Sequence, residues 1–151
     1  MSNQNETSYN FKSVKEGELY RSAQPSREFL LYLKEKYKIK TIINLRTRIN
    51  LPEKEFAKEN NINLFQIPLS HFAIGLNKKK VLFFLNLIED KNNFPVLIHC
   101  RQGKDRTGVM IALFRLFCQK WEWKDVYSEI KENKVNLFWR LSIRTKRLWR
   151  L

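Results

Sequence analysis

The stretch Val96-Leu97-Ile98-His99-Cys100-Arg101-Gln102-Gly103-Lys104-Asp105-Arg106-Thr107-Gly108 decides the fold. Its apolar opening reads as a buried strand, and a long apolar helix follows its end. Five residues separate Cys100 from Arg106. A strand that enters a helix through a tight loop aims several backbone N–H groups into one concavity. The helix N-terminus adds the positive end of its dipole. Such a nest suits a phosphate dianion and stabilises a thiolate at its base. Arg106 can fork two phosphate oxygens in a planar, bidentate way that lysine cannot. Gly103 lets the loop turn, and Gly108 lets the helix approach the sheet. Cys100 is then a nucleophile aimed at a bound phosphoryl group.

Outward from this stretch, strands alternate with helices. Leu19-Tyr20 suggests a short strand. Pro25 precedes a helical pattern over 26–37, with Phe29, Leu30 and Leu33 at helix spacing. The β-branched run 40–45 reads as a buried strand. Pro52 opens a shorter helix that ends near Asn60-Asn61, and 64–67 is a further strand. Asn77 can cap a helix whose inner face carries Val81, Phe84, Leu85 and Ile88. Residues 109–117 predict a helix buried on nearly all sides, and 123–132 an amphipathic one. The alternation implies an α/β fold with a mostly parallel central sheet flanked by helices. In such folds the ligand crevice lies at the carboxyl ends of the strands, where Cys100 sits.

The expected organisation is a loose polar arm over 1–15 and one domain over 16–151. That domain includes a basic C-terminal helix. Its tail, 137–151, holds five Arg or Lys and no acid. There Phe138, Leu141 and Leu148 share one helix face, and Arg140, Arg144 and Arg147 another. Such a helix can lie on an anionic membrane surface or dock on the domain with its basic face in water. The whole chain carries a net charge of +14, which favours polyanionic partners. Two cysteines, Cys100 and Cys118, make no disulfide framework. The polar N-terminus and the absence of a long apolar run predict a cytoplasmic protein.

His99-Cys100 through Arg106-Thr107 matches the H-C-x5-R-[ST] signature, and the chain resembles the protein-tyrosine phosphatase superfamily. Its small size, with the segments 20–25 and 41–46, is similar to compact bacterial and atypical dual-specificity members. The resemblance covers roughly residues 18 to 133. It implies a cysteine-phosphatase fold, dual-specificity phosphatase-like, and a reaction through a phosphocysteine intermediate. It implies that His99 hydrogen-bonds into the loop and supports the thiolate. Arg106 would bind the phosphate and the flattened transition state, and Thr107 would offer its hydroxyl to the Cys100 sulfur. Arg101, Gln102, Gly103, Lys104, Asp105 and Arg106 would form the phosphate-binding loop. This chemistry requires no cofactor and no metal.

Members of this superfamily usually carry an Asp general acid on a loop after an earlier strand. Here that loop, 68–75, holds no carboxylate. The chain has three aspartates, Asp90, Asp105 and Asp125. Asp90 and Asp125 read as helix-end residues facing water. Asp105, inside the phosphate loop, is the first candidate acid, since myotubularin-like lipid phosphatases are similar in carrying an Asp there. His71, in the loop, is the second. Glu53 and Glu55 are distant third choices. Lys104 beside Arg106 suits a second substrate phosphate, and Arg21 and Arg46 read as structural or surface residues more readily than crevice ones.

The resulting expectation is a protein-tyrosine or dual-specificity phosphatase. One alternative is a phosphoinositide or inositol-polyphosphate phosphatase. Another is a non-catalytic module that binds phosphorylated ligands. The partner is a phosphorylated protein or a polyanionic small-molecule or lipid phosphate. Nucleic acid is not expected as a partner.

Overall fold

The computed structural model describes residues 2–70 and 76–136. His71 and the basic tail 137–151 lie outside the described residues. The strands β1 (Lys12–Lys15), β2 (Leu19–Ser22), β3 (Thr41–Asn44), β4 (Asn63–Gln66) and β5 (Val96–His99) form one sheet. Its order is β1-β2-β5-β3-β4. β1 runs antiparallel to β2, and every other pairing is parallel. The helices are α1 (Ser2–Ser8), α2 (Arg27–Tyr37), α3 (Leu51–Glu59), α4 (Lys78–Glu89), α5 (Asp105–Phe117) and α6 (Trp123–Glu132).

β5 is the central strand, and its register places His99 between Ser22 of β2 and Asn44 of β3. All four of its residues are buried, because helices cover both faces of the sheet. The two-residue period of a strand divides its side chains. Val96 and Ile98 enter a core built with α4, α5 and α6, while Leu97 enters one built with α2 and α3. Side-chain caps set the starts of three helices: Ser26 accepts from the Phe29 N–H, Asn50 from Glu53 and Asn77 from Lys80.

The loose arm expected over residues 1–15 is corrected by α1 and β1. Polar composition hid three anchors. Tyr9 stacks on Phe29 with ring centroids 4.2 Å apart, and Phe11 stacks on Tyr20 at 5.5 Å. Glu6 accepts hydrogen bonds from Tyr32 and Tyr37, each at 2.6 Å, and from Lys36 at 2.9 Å. Burial opposes ionisation of Glu6, but these three donors outweigh it and hold its carboxyl down at about 2. The segment reaches the central loop through Asn10, which adopts a left-handed φ of 49°.

Candidate active site

α5 opens at Asp105, earlier than its apolar pattern alone suggests, so Arg106 and Thr107 lie in its first turn. Its N-cap position, Lys104, makes no side-chain capping bond. The first-turn N–H groups are therefore not claimed by a side-chain cap. Cys100 is buried at the end of β5, beneath the loop.

The loop is held from behind by its carbonyls. Gln24 N–H donates to Arg101 O at 3.2 Å. Asn10 Nδ2 donates to Gln102 O and Gly103 O, both at 3.3 Å, and Arg21 Nη2 to Gly103 O at 2.8 Å. In a planar trans peptide the N–H points opposite to the C=O. Drawing these successive carbonyls into the protein thus turns the following N–H groups the other way, toward the cradle. Gly103 makes the turn at φ 68°, and a Cβ there would lie 2.5 Å from the Ser22 carbonyl. Arg21 is buried, which lowers its guanidinium below its usual range. The negative charge of Glu129 acts in the opposite direction.

His99 rests on Glu53: Nε2 lies 2.5 Å from Oε1, and both side chains are fully buried. Asn44 Nδ2 donates to the other Glu53 oxygen at 2.6 Å. Burial pushes the Glu53 carboxyl up, but His99, Asn44 and Gln24 together hold it below its ordinary value. Glu53 therefore stands beneath the residue that precedes Cys100.

Arg106 is buried, and its Nη1 donates to Leu69 O at 3.3 Å. That contact ties the start of α5, beside the loop after β5, to the start of the connection between β4 and α4. Thr107 is buried with its hydroxyl unpartnered among the described residues. A hydroxyl so placed costs stability unless it serves elsewhere. Asp105 Oδ1 accepts from the Asn136 N–H at 2.7 Å, so one carboxylate oxygen is tethered to the segment after α6.

A cavity of about 290 Å³ opens beside the loop, lined by Arg46, Thr47, Arg48, Arg101 and Arg106. Lys104 is half-buried and is not part of this lining. Arg46, read from sequence as structural or surface, is. Arg48 and Asn10 carry no motif, Gln24 is one residue of the segment 20–25 and Glu53 is in sequence only a distant candidate acid, so the fold is what brings the four to the loop. Among the described residues no three His, Cys, Asp or Glu side chains cluster so as to hold a metal ion. None of their helices is long and apolar enough to cross a membrane.

A sequence model described as the tyrosine phosphatase family matches residues 7–135. The chain belongs to this family. It is 35% identical over 141 residues to inositol diphosphatase DSP3 of Arabidopsis thaliana, covering 87% of the chain and 64% of that protein. It is 32% identical over 125 residues to inositol diphosphatase SIW14 of Saccharomyces cerevisiae, covering 76% of the chain and 42% of that protein. The chain thus spans less than two thirds of the length of either relative. The core catalytic domain of the PP-IP phosphatase SIW14, solved in complex with citrate, superposes with a TM-score of 0.81 at 28% identity. That superposition covers 91% of this chain and 85% of the other. TpbA of P. aeruginosa shares the fold, with a TM-score of 0.77 at 22% identity over 91% of this chain and 85% of that one. The family's cysteine-phosphatase fold is the α/β arrangement expected from the sequence.

Proposed function

We propose that this chain is a cysteine-dependent phosphatase of inositol polyphosphates, with a terminal phosphate of an inositol diphosphate as the group removed. The carrying observation is the cavity beside Arg106, which is lined by four arginines and no carboxylate. A singly phosphorylated peptide, with a phosphate of about −2, would leave about two of these four charges unmatched. Two relatives named inositol diphosphatases, and a relative's catalytic core that holds the tricarboxylate citrate, support the same substrate class.

In this reading the Cys100 thiolate attacks the terminal phosphorus while Arg106 and the loop N–H groups hold its three oxygens. A sulfur–phosphorus bond forms, and the bond to the bridging oxygen breaks with its electron pair on the departing phosphate. Water then attacks the phosphocysteine, inorganic phosphate leaves, and the sulfur regains its charge. The Thr107 hydroxyl is available to support that sulfur. Glu53 fixes His99, which in turn supports the adjoining nucleophile.

The leaving group accounts for the missing loop aspartate. A departing phosphate has a second pKa near 6, so it leaves without full protonation. An alkoxide does not. Membership of the tyrosine phosphatase family favours phosphoproteins as a second substrate class. A turnover panel of an inositol diphosphate, a phosphoinositide and a phosphotyrosine peptide tests the proposal. The expected order of kcat/KM places the inositol diphosphate first, with all activity lost in Cys100→Ser. Preference for the peptide would return the chain to protein substrates. Binding without turnover would make it a phospho-ligand module.

A further inference from the structure

The cavity beside the phosphate loop is closed from a second direction. Arg46, Thr47 and Arg48 belong to the connection between β3 and α3, and they share the cavity with Arg101 and Arg106. Arg46 is fixed before any ligand arrives. Its Nη1 donates to Gln24 Oε1 at 3.0 Å, and its backbone N–H to Asn44 Oδ1 at 2.8 Å. Gln24 is held in turn, by Nε2 on Glu53 Oε1 at 3.4 Å and by its N–H on Arg101 O. A guanidinium oriented by such a relay loses little freedom when it binds. Arg48 is exposed and makes no hydrogen bond or ion pair among the described residues. Its fork is therefore not claimed by a described partner.

Charge divides the work. A bound phosphoryl group carries about −2 at neutral pH. Arg101 and Arg106, both on the phosphate loop, can match it. Arg46 and Arg48 then keep two positive charges that no carboxylate in the lining offsets.

We infer that Arg46 and Arg48 form a second anion subsite, which holds a substrate phosphate other than the one transferred. The inference rests on the phosphatase reading for the role of Arg106. Its ligand is a cyclitol carrying several phosphates, compact enough for two of them to share one cavity. Gln24 touches no substrate and is a positioning residue for Arg46.

Equilibrium titration of the full chain carrying Cys100→Ser tests this without turnover. The probes are inositol hexakisphosphate and tungstate, a tetrahedral dianion that fills one phosphate position. Arg48→Gln and Arg46→Gln should each weaken inositol hexakisphosphate about tenfold or more, as expected for one charge-assisted contact. Tungstate should lose far less. Lys124→Gln removes the same charge from α6, outside the cavity lining, and should produce only a small effect that salt abolishes. Gln24→Ala should weaken inositol hexakisphosphate when Arg46 is present and add nothing to Arg46→Gln. Arg48 makes no described contact, so its removal leaves the fold intact, which thermal melting verifies. Equal losses for both probes would overturn the subsite, as would a response to Lys124→Gln as large as that to Arg48→Gln. Failure of the phosphatase reading would appear separately, as an absence of Cys100-dependent turnover in the wild-type chain.

Discussion

The Glu53 carboxylate and the His99 imidazole meet at 2.5 Å with no exposure to solvent, one residue before Cys100. Glu53 accepts from two buried groups, and a glutamine there keeps one acceptor oxygen but lacks the charge and the second acceptor, at a cost of about 1–3 kcal/mol. Glu53→Gln should therefore lower unfolding free energy by about that amount, read from denaturant titration. The carboxyl is held below its ordinary 4.5, so its contribution is fully present above that value. It is lost as pH falls through the depressed folded-state value. The stability curves of wild type and Glu53→Gln should converge in acid. Curves that stay parallel would show that the pair is not what Glu53 contributes.

Gly103 offers a sharper separation of stability from chemistry. Alanine there must adopt φ 68° and place its Cβ 2.5 Å from backbone atoms of Ser22, which cannot yield as a side chain would. The left-handed conformation alone costs about 1–2 kcal/mol. The remaining clash must be relieved by moving the loop away from β2. Gly103→Ala should thus lose turnover and oxyanion binding together, while far-ultraviolet dichroism stays native. Retained vanadate affinity would mean that the loop absorbs the methyl group without moving its N–H groups.

The N-terminal segment should respond to acid. The folded-state carboxyl of Glu6 sits at about 2 against an ordinary 4.5. Its contribution is complete above the ordinary value and disappears as pH falls toward the folded one. Acid should therefore loosen the contacts of α1 with Tyr32, Tyr37 and Lys36 before the sheet unfolds. Amide exchange of residues 5–11 at decreasing pH measures this. Glu6→Gln should show the loosened exchange already at neutral pH.

Which parts of this architecture were legible follows from how local their causes are. The strand, loop and helix around Cys100 carry their own periodicity and glycine signals, so the sequence alone located them. Asn77 announced a helix start for the same reason. Glu53 did not, because its partner lies 46 positions away by residue number and pairs only through the sheet register. Arg46 was set aside for a like reason: a single arginine after a strand is ordinary, and only the packing of Gln24 directs it. Residues 1–15 were misread because two aromatic rings and one carboxylate anchor an otherwise polar stretch.

Asp105 poses the last question, since its one described contact is structural. Oδ1 accepts from the Asn136 N–H, and an asparagine in its place could accept the same bond through its amide oxygen. Asp105→Asn therefore removes the exchangeable proton and keeps the tether, whereas Asp105→Ala removes both. A general acid contributes roughly 10²–10⁴-fold where the leaving group is a poor one. If Asp105 is the acid, Asp105→Asn should slow an alkyl phosphate by about that factor and an inositol diphosphate far less, because a phosphate leaves unaided. If Asp105 only anchors the loop, Asp105→Asn should behave like wild type on both substrates and Asp105→Ala should impair both. His71→Asn, assayed in parallel, transfers the role to the loop histidine if it alone produces the selective loss. The physical reading of the site expects none of these variants to abolish diphosphate cleavage. Abolition by Asp105→Asn would show that even a phosphate leaving group depends on the proton and would remove the explanation for the missing loop aspartate.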